Sequence, residues 1–216
     1  MQIDKTSLLD LSVFHPEEEQ SVFHFLNHTQ TNEGRAYLRW WLEHPPARLE
    51  QVQEIQAQLK FLGANAQAWP LHPTNGSFLV LDKFFETYVD AYPKPVHYLS
   101  ALLYSLLHPG DFSLTRFSVK HTIDLVKGFD TIARILEQAP PETNFQAVSQ
   151  RIQGLLRATW IQDMIHCSVT DISSVQWLYW GQEIKQHFKP AAEELSALYG
   201  KLDAQMAVAK LGLEKG

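Results

Sequence analysis

Cysteine is nearly absent: Cys167 is the single one in 216 residues. That excludes an internal disulfide framework and a cysteine-rich zinc site, and it fits a reducing, cytoplasmic setting. Phosphate-binding loops are missing too. There is no G-x-x-x-x-G-K-[ST] and no G-x-G-x-x-G, so the chain lacks the nest of amides that usually holds a nucleotide's phosphates. No secretory leader is legible in MQIDKTSLLDLSVFHPEEEQ. The longest apolar run, Val96 to Leu107, falls short of the ~20 residues that a membrane span needs, and it reads as a buried helix. Excess basic charge is also lacking. The net charge is −6, which is not the footprint of an independent nucleic-acid binder, so any such contact has to come from a local patch. Neither a repeat nor a low-complexity tract is present.

What the chain has is apolar and aromatic weight. Hydrophobic residues make up 45 % and charged residues 19 %, with six Trp and twelve Phe; this is the composition of a globular chain able to bury a core. Helical spacing dominates. Residues 18–27 read as one helix. Thr29 or Thr31 can cap the next, with Glu33 in its first turn and Leu38, Trp41 and Leu42 on its apolar side. Pro45-Pro46 stops that helix, and Pro46 can open the one carrying Leu49, Val52, Ile55, Leu59 and Leu62. Residues 68–78 form the clearest loop, followed by helices near 78–90 and 96–108, with the link 108–113 breaking the run. From Leu114 to Glu137 a long helix is expected, with Leu114, Phe117, His121, Leu125, Phe129, Ile132 and Leu136 on one face. Residues 144–162 read as a further helix. In 166–180 the β-branched and aromatic content makes a short strand possible. The tail from Ile184 to Ala209 keeps a 3–4 apolar spacing, with Pro190 a kink or a new start. The expected class is all-α.

Three side-chain groups could carry chemistry. His24 and His28 stand i, i+4 on the expected helix, a spacing used by zinc, but no third ligand accompanies them. Asp163, His166 and Cys167 could suggest a nucleophile and its base; a buried structural thiol is the plainer reading. Together these are the case for a small metal- or thiol-dependent enzyme. Arg116, Lys120, Lys127 and Arg134 fall within roughly 40° of one another on the long helix. That stripe is either its solvated side or a track for a phosphate backbone, with Asp124 and Asp130 diluting the field. Of Trp40-Trp41, one can face a core while the other lies about 100° round the helix.

The N-terminal pattern resembles the core and lever region of the MutS family of DNA mismatch-repair ATPases. Ile3-Asp4, Thr6 and Leu9-Asp10-Leu11 lead it. Then Val22-Phe23, Leu26-Asn27, Thr29, Thr31, Gly34, Leu38, Trp41-Leu42 and Pro45 follow the family's order, with Asn27 where Asp is usual. Near the other end, Leu198, Leu202-Asp203 and Val208-Ala209 are similar to the family's closing helix, with Ala207 where Ser is usual. The resemblance is specific over 3–62, weaker over 191–213, and rests on order and helicity between them.

The resemblance implies a helical core over 1–113, long lever-like helices over 114–216, and an ATPase domain absent from this chain. It implies ATP and Mg as cofactors of a longer protein, a homodimer formed through that ATPase domain, and DNA as partner, with no membrane. No catalytic or metal-ligating residue is assigned within these residues. The family's mismatch-reading domain would precede this region. Phe84-Phe85-Glu86 spells its Phe-x-Glu by coincidence, and the span from Leu114 to Gly200 is short for two lever arms plus a full clamp. DNA mismatch repair or a related step of DNA metabolism is the expected setting, and a helical protein-interaction module is the alternative.

Overall fold

The computed structural model describes residues 11–15, 17–94 and 96–215. Ile3, Asp4, Thr6, Leu9 and Asp10 of the family-like lead lie outside them. The protein is all-α, with no strand among the described residues. Its α-helices are α1 (Val22–Leu26), α2 (Asn32–Glu43), α3 (Leu49–Ala64), α4 (Asn75–Glu86), α5 (Tyr98–Leu107), α6 (Pro109–Glu137), α7 (Phe145–Leu155), α8 (Thr159–His166), α9 (Ser174–Glu183) and α10 (Lys189–Lys215). No described helix is long and apolar enough to cross a membrane.

Two compact units interleave along the sequence. The first comprises Met1–Trp69, Ile132–Gln150 and Ser196–Gly216; the second comprises Pro70–Thr131 and Arg151–Leu195. Helices α6 and α10 each give residues to both units. At 1.5 Å per residue they are about 43 and about 40 Å long.

In the first unit Phe23, Leu38 and Ala204 form a buried cluster, with Phe14, Leu26, Tyr37, Trp41, Leu42 and Val208 packed on it. Trp41 thus faces the core, while Trp40 is 50 % exposed, as the 100° step between neighbours on a helix requires. In the second unit Ala101, Tyr104 and Leu178 form the equivalent cluster, and Phe78 meets Phe129 edge-on at 6.3 Å.

Several expectations are corrected. Residues 166–180 hold no strand. Ser173 and Gln176 form a reciprocal capping box that opens α9, and α9 buries Trp177, Leu178 and Trp180. The S-x-x-Q spacing carried that signal, and it outweighs the β-branched content. The 18–27 segment is a short 3₁₀ turn, Glu18–Gln20, and then α1, capped by Ser21. Pro46 does not open α3, whose N-cap is Arg48. Asn75-Gly76 belongs to a helix rather than a loop, because the Thr74 hydroxyl caps α4. The link 108–113 does not interrupt: α6 begins at Pro109, the first-turn position proline suits. Residues 144–162 are two helices, with Leu156 to Ala158 between them. A π turn, Ile184–Phe188, precedes α10, so Pro190 stands at a helix start.

The buried face of α6 also differs from the apolar stripe. Phe117 is 52 % exposed, whereas Thr115, Ser118 and Thr122 are fully buried. Two of these hydroxyls bond back one turn: Thr115 Oγ1 donates to the Asp111 carbonyl at 2.7 Å and Thr122 Oγ1 to the Ser118 carbonyl at 2.8 Å. A hydroxyl satisfied this way is buried without penalty from an unmade bond, so the stripe is wider and more polar than its apolar members suggest.

The Val96–Leu107 segment is not a buried helix. In α5 only Ala101 and Tyr104 are buried. Leu99, Leu103, Leu106 and Leu107 are each more than half exposed, and Leu102 is 44 % exposed.

Candidate functional site

Residues from the two resembling ends of the sequence meet inside the first unit. The Thr31 hydroxyl caps α2 by accepting from the Gly34 N–H at 3.0 Å. The same hydroxyl donates to Asp203 Oδ2 at 2.7 Å. Asp203 Oδ2 also accepts the Thr31 N–H at 2.8 Å and the Gln30 N–H at 2.9 Å. One buried carboxylate on α10 therefore closes the amides that lead into α2, and the Thr31 hydroxyl relays that bond into the helix. Asp203 is 4 % exposed. Burial pushes its carboxyl above the ordinary aspartate value, opposed by the donors from Gln30 and Thr31.

Two glycines permit the approach. A Cβ on Gly34 would lie 2.2 Å from Asp203 Oδ2, and one on Gly200 would lie 2.8 Å from Glu33 Cβ. Both distances are below any real contact, so α2 and α10 touch where side chains are missing. Sequence order alone pointed to Thr31, Gly34 and Asp203 separately. Their junction, and the part of Gly200, was not legible.

The basic stripe divides. Arg116, Lys120 and Lys127 belong to the second unit and Arg134 to the first. Arg116 and Lys120 are exposed and line a groove of about 290 Å³ together with Phe117 and Trp177. The Arg116 guanidinium lies 5.7 Å from the Trp177 ring centroid and 5.9 Å from that of Phe112. Two cations stand there beside the exposed Phe117, a combination able to hold a phosphate, while Trp177 is buried beneath the Arg116 guanidinium. Lys127 is turned to structural use, its Nζ donating to the Cys167 carbonyl at 2.6 Å. Arg134 is exposed on the first unit's stretch of α6.

The other two groups do not assemble. His24 lies in α1, but His28 follows its C-cap, Asn27, so they share no helix face. Asp163, His166 and Cys167 form no nucleophile–base pair. His166 Nδ1 bonds the Gln162 carbonyl at 2.7 Å, and the Cys167 thiol donates to the Met164 carbonyl. Burial pushes that thiol up, away from the thiolate.

Sequence reading missed a cluster of Asp90, His108 and Asp111, the one group of three potential metal ligands among the described residues. Internal bonds occupy it. His108 Nδ1 pairs with Asp90 Oδ2 at 2.8 Å, and Asp111 Oδ2 accepts the Asp90 N–H at 3.0 Å. Tyr104 OH donates to the Asp90 carbonyl at 3.0 Å. These bonds tie the loop after α4 to the start of α6. Nearby, burial holds the Tyr92 hydroxyl at about 12, Asp111 adding to the rise and Thr115 opposing it. Comparison with protein-family models, with curated proteins and with solved structures gave no match.

Proposed function

We propose that this chain is the non-catalytic helical core and lever part of a MutS-like, ATP-dependent DNA-binding protein. It would couple an ATPase domain encoded further on to DNA contact, in mismatch repair or a related step of DNA metabolism. The observation that carries the reading is the joint just described. Thr31, Gly34 and Leu38 of one resembling stretch stand against Ala204 and Asp203 of the other. A capped, close-packed root of this kind holds a long helix at a fixed angle. Rigid helices of about 40 Å then convert a small rotation at one end into a large displacement at the other. Arg116 and Lys120 are the residues best placed to meet a phosphate backbone. ATP and Mg, and dimerisation, would belong to the ATPase part, and the setting would be cytoplasmic.

A fluorescence-polarisation titration with labelled duplex DNA at low salt tests the DNA contact. Arg116→Glu with Lys120→Glu is expected to weaken binding about tenfold or more and to flatten the salt dependence by roughly two counterions. Affinity unchanged by the pair removes these residues from any DNA contact.

A second reading, a helical protein-interaction module, is favoured by the exposed leucines of α5. The helix YLSALLYSLL carries no charge, so it offers an oppositely charged partner nothing to read, and a second copy of the same leucine face is the occupant it suits best. Leu103→Glu with Leu106→Glu should abolish self-association in sedimentation velocity. A wild-type chain that remains monomeric at high concentration ends this reading.

A further inference from the structure

A cavity of about 550 Å³ opens in the first unit between the end of α2, the start of α3 and α10. Its size lies within the range of small-ligand sites. Tyr37, Trp40 and Trp41 supply aromatic wall, Arg48 and Lys201 supply positive charge, and Gln205 lies at its inner side. Trp40 is half exposed and stacked on His44, with ring centroids 5.0 Å apart. Among the described residues neither Arg48 nor Lys201 takes part in an ion pair.

The inner side is an amide relay of fixed orientation. Gln58 Nε2 donates to the Thr143 carbonyl at 2.8 Å and to Glu54 Oε1 at 3.0 Å. Both partners only accept, so the Gln58 amide cannot be flipped. Its oxygen therefore accepts from Gln205 Nε2, at 2.6 Å. That in turn fixes Gln205, which is 2 % exposed, and leaves its Oε1 buried with no hydrogen-bond partner among the described residues. An unsatisfied buried acceptor is costly, of order 1–3 kcal/mol.

We propose that this cavity binds a nucleotide. The class follows from two demands that the lining makes together: a flat ring to lie on Trp40 and Tyr37, and an anionic group for Arg48 and Lys201. A free mononucleotide and an unpaired base in a single strand present the same chemistry. The proposal stands independently of the lever reading, since it uses neither Arg116 nor Lys120.

Isothermal titration calorimetry on the full chain with guanosine monophosphate tests it, with guanosine, inorganic phosphate and a short unpaired guanine oligonucleotide as parallel probes. The mononucleotide should bind at least about tenfold more tightly than guanosine or phosphate alone. Arg48→Glu should weaken the mononucleotide about tenfold and leave guanosine unchanged, whereas Trp40→Ala should weaken both. Both side chains are exposed, and circular dichroism of the variants should match the wild type. Binding by the oligonucleotide alone, with the same response to the two variants, identifies a strand as the source of the base. No binding by either at millimolar concentration, or binding that both variants leave unchanged, overturns the proposal.

Discussion

Replacing Asp203 with alanine is expected to cost about 3 kcal/mol or more of folding stability. The side chain is buried and closes three donors: the Gln30 and Thr31 amides and the Thr31 hydroxyl. Alanine leaves those donors facing the space the carboxylate filled. Each unmet buried donor costs of order 1–3 kcal/mol, and water entering that space recovers part of the sum. Asparagine keeps the shape but turns an NH₂ towards donors, so about half the loss should remain. Thr31→Val breaks the relay to Gly34 and should cost about 1–2 kcal/mol as a lost cap.

Because these groups form one network, the double variant should lose less than the sum of the singles. Denaturant midpoints measure all four proteins. Losses below about 0.5 kcal/mol that simply add would mean the joint does not hold the two helices together. The pH dependence has a definite sign. Burial holds the folded carboxyl above its ordinary value, so the folded state keeps the proton longer than the unfolded chain does. The stabilisation from this group is complete below the unfolded value and is lost as pH rises through the folded one. Relative to Asp203→Asn, wild-type stability should therefore fall with rising pH across the acid range.

The sequence made parts of this joint readable and left its assembly dark. Thr31 is a cap by its residue type and by its place before an apolar stripe, and Leu38 and Trp41 follow from helical spacing. That Gly34 faces a carboxylate 169 positions away along the chain has no local signal, since a helical glycine looks the same whether it is packed or open. The fold class and the course of α6 from Leu114 to Glu137 were legible because that run contains no proline and keeps a helical period; its first turns, from Pro109, were read as a break. The exposed side of α5 was not: a helix apolar all round gives no indication of which leucines find neighbours. The break at Leu156 to Ala158 was hidden for a different reason. It has no proline or glycine, and Ala158 makes no side-chain cap. The cavity was invisible as well. Gln58 and Gln205 sit among apolar residues on their helices, and nothing in their spacing says that their amides face each other.

Gly128→Ala should produce the second large effect. Glycine inside a helix normally costs about 1 kcal/mol relative to alanine, so the substitution ought to stabilise α6. Here an added Cβ would lie 2.2 Å from the His72 carbonyl oxygen and 2.7 Å from its carbon. These are backbone atoms, which cannot swing aside as a side-chain tip can. The segment before α4 must instead move off the helix, next to the Phe78–Phe129 contact, and such overpacking costs about 1–3 kcal/mol or more. The net expectation is a loss of about 2 kcal/mol, a fall of roughly 4–8 °C in Tm for a chain of this size. Gly154 is the internal control. It lies in α7 with nothing within 4 Å of its would-be Cβ, so Gly154→Ala should be neutral or stabilising by up to about 1 kcal/mol. Calorimetry on the pair reads the sign directly. A Tm raised by both substitutions would show that the segment carrying His72 and Pro73 does not press on α6 in solution, and the packing described for the second unit would have to be redrawn around a looser contact.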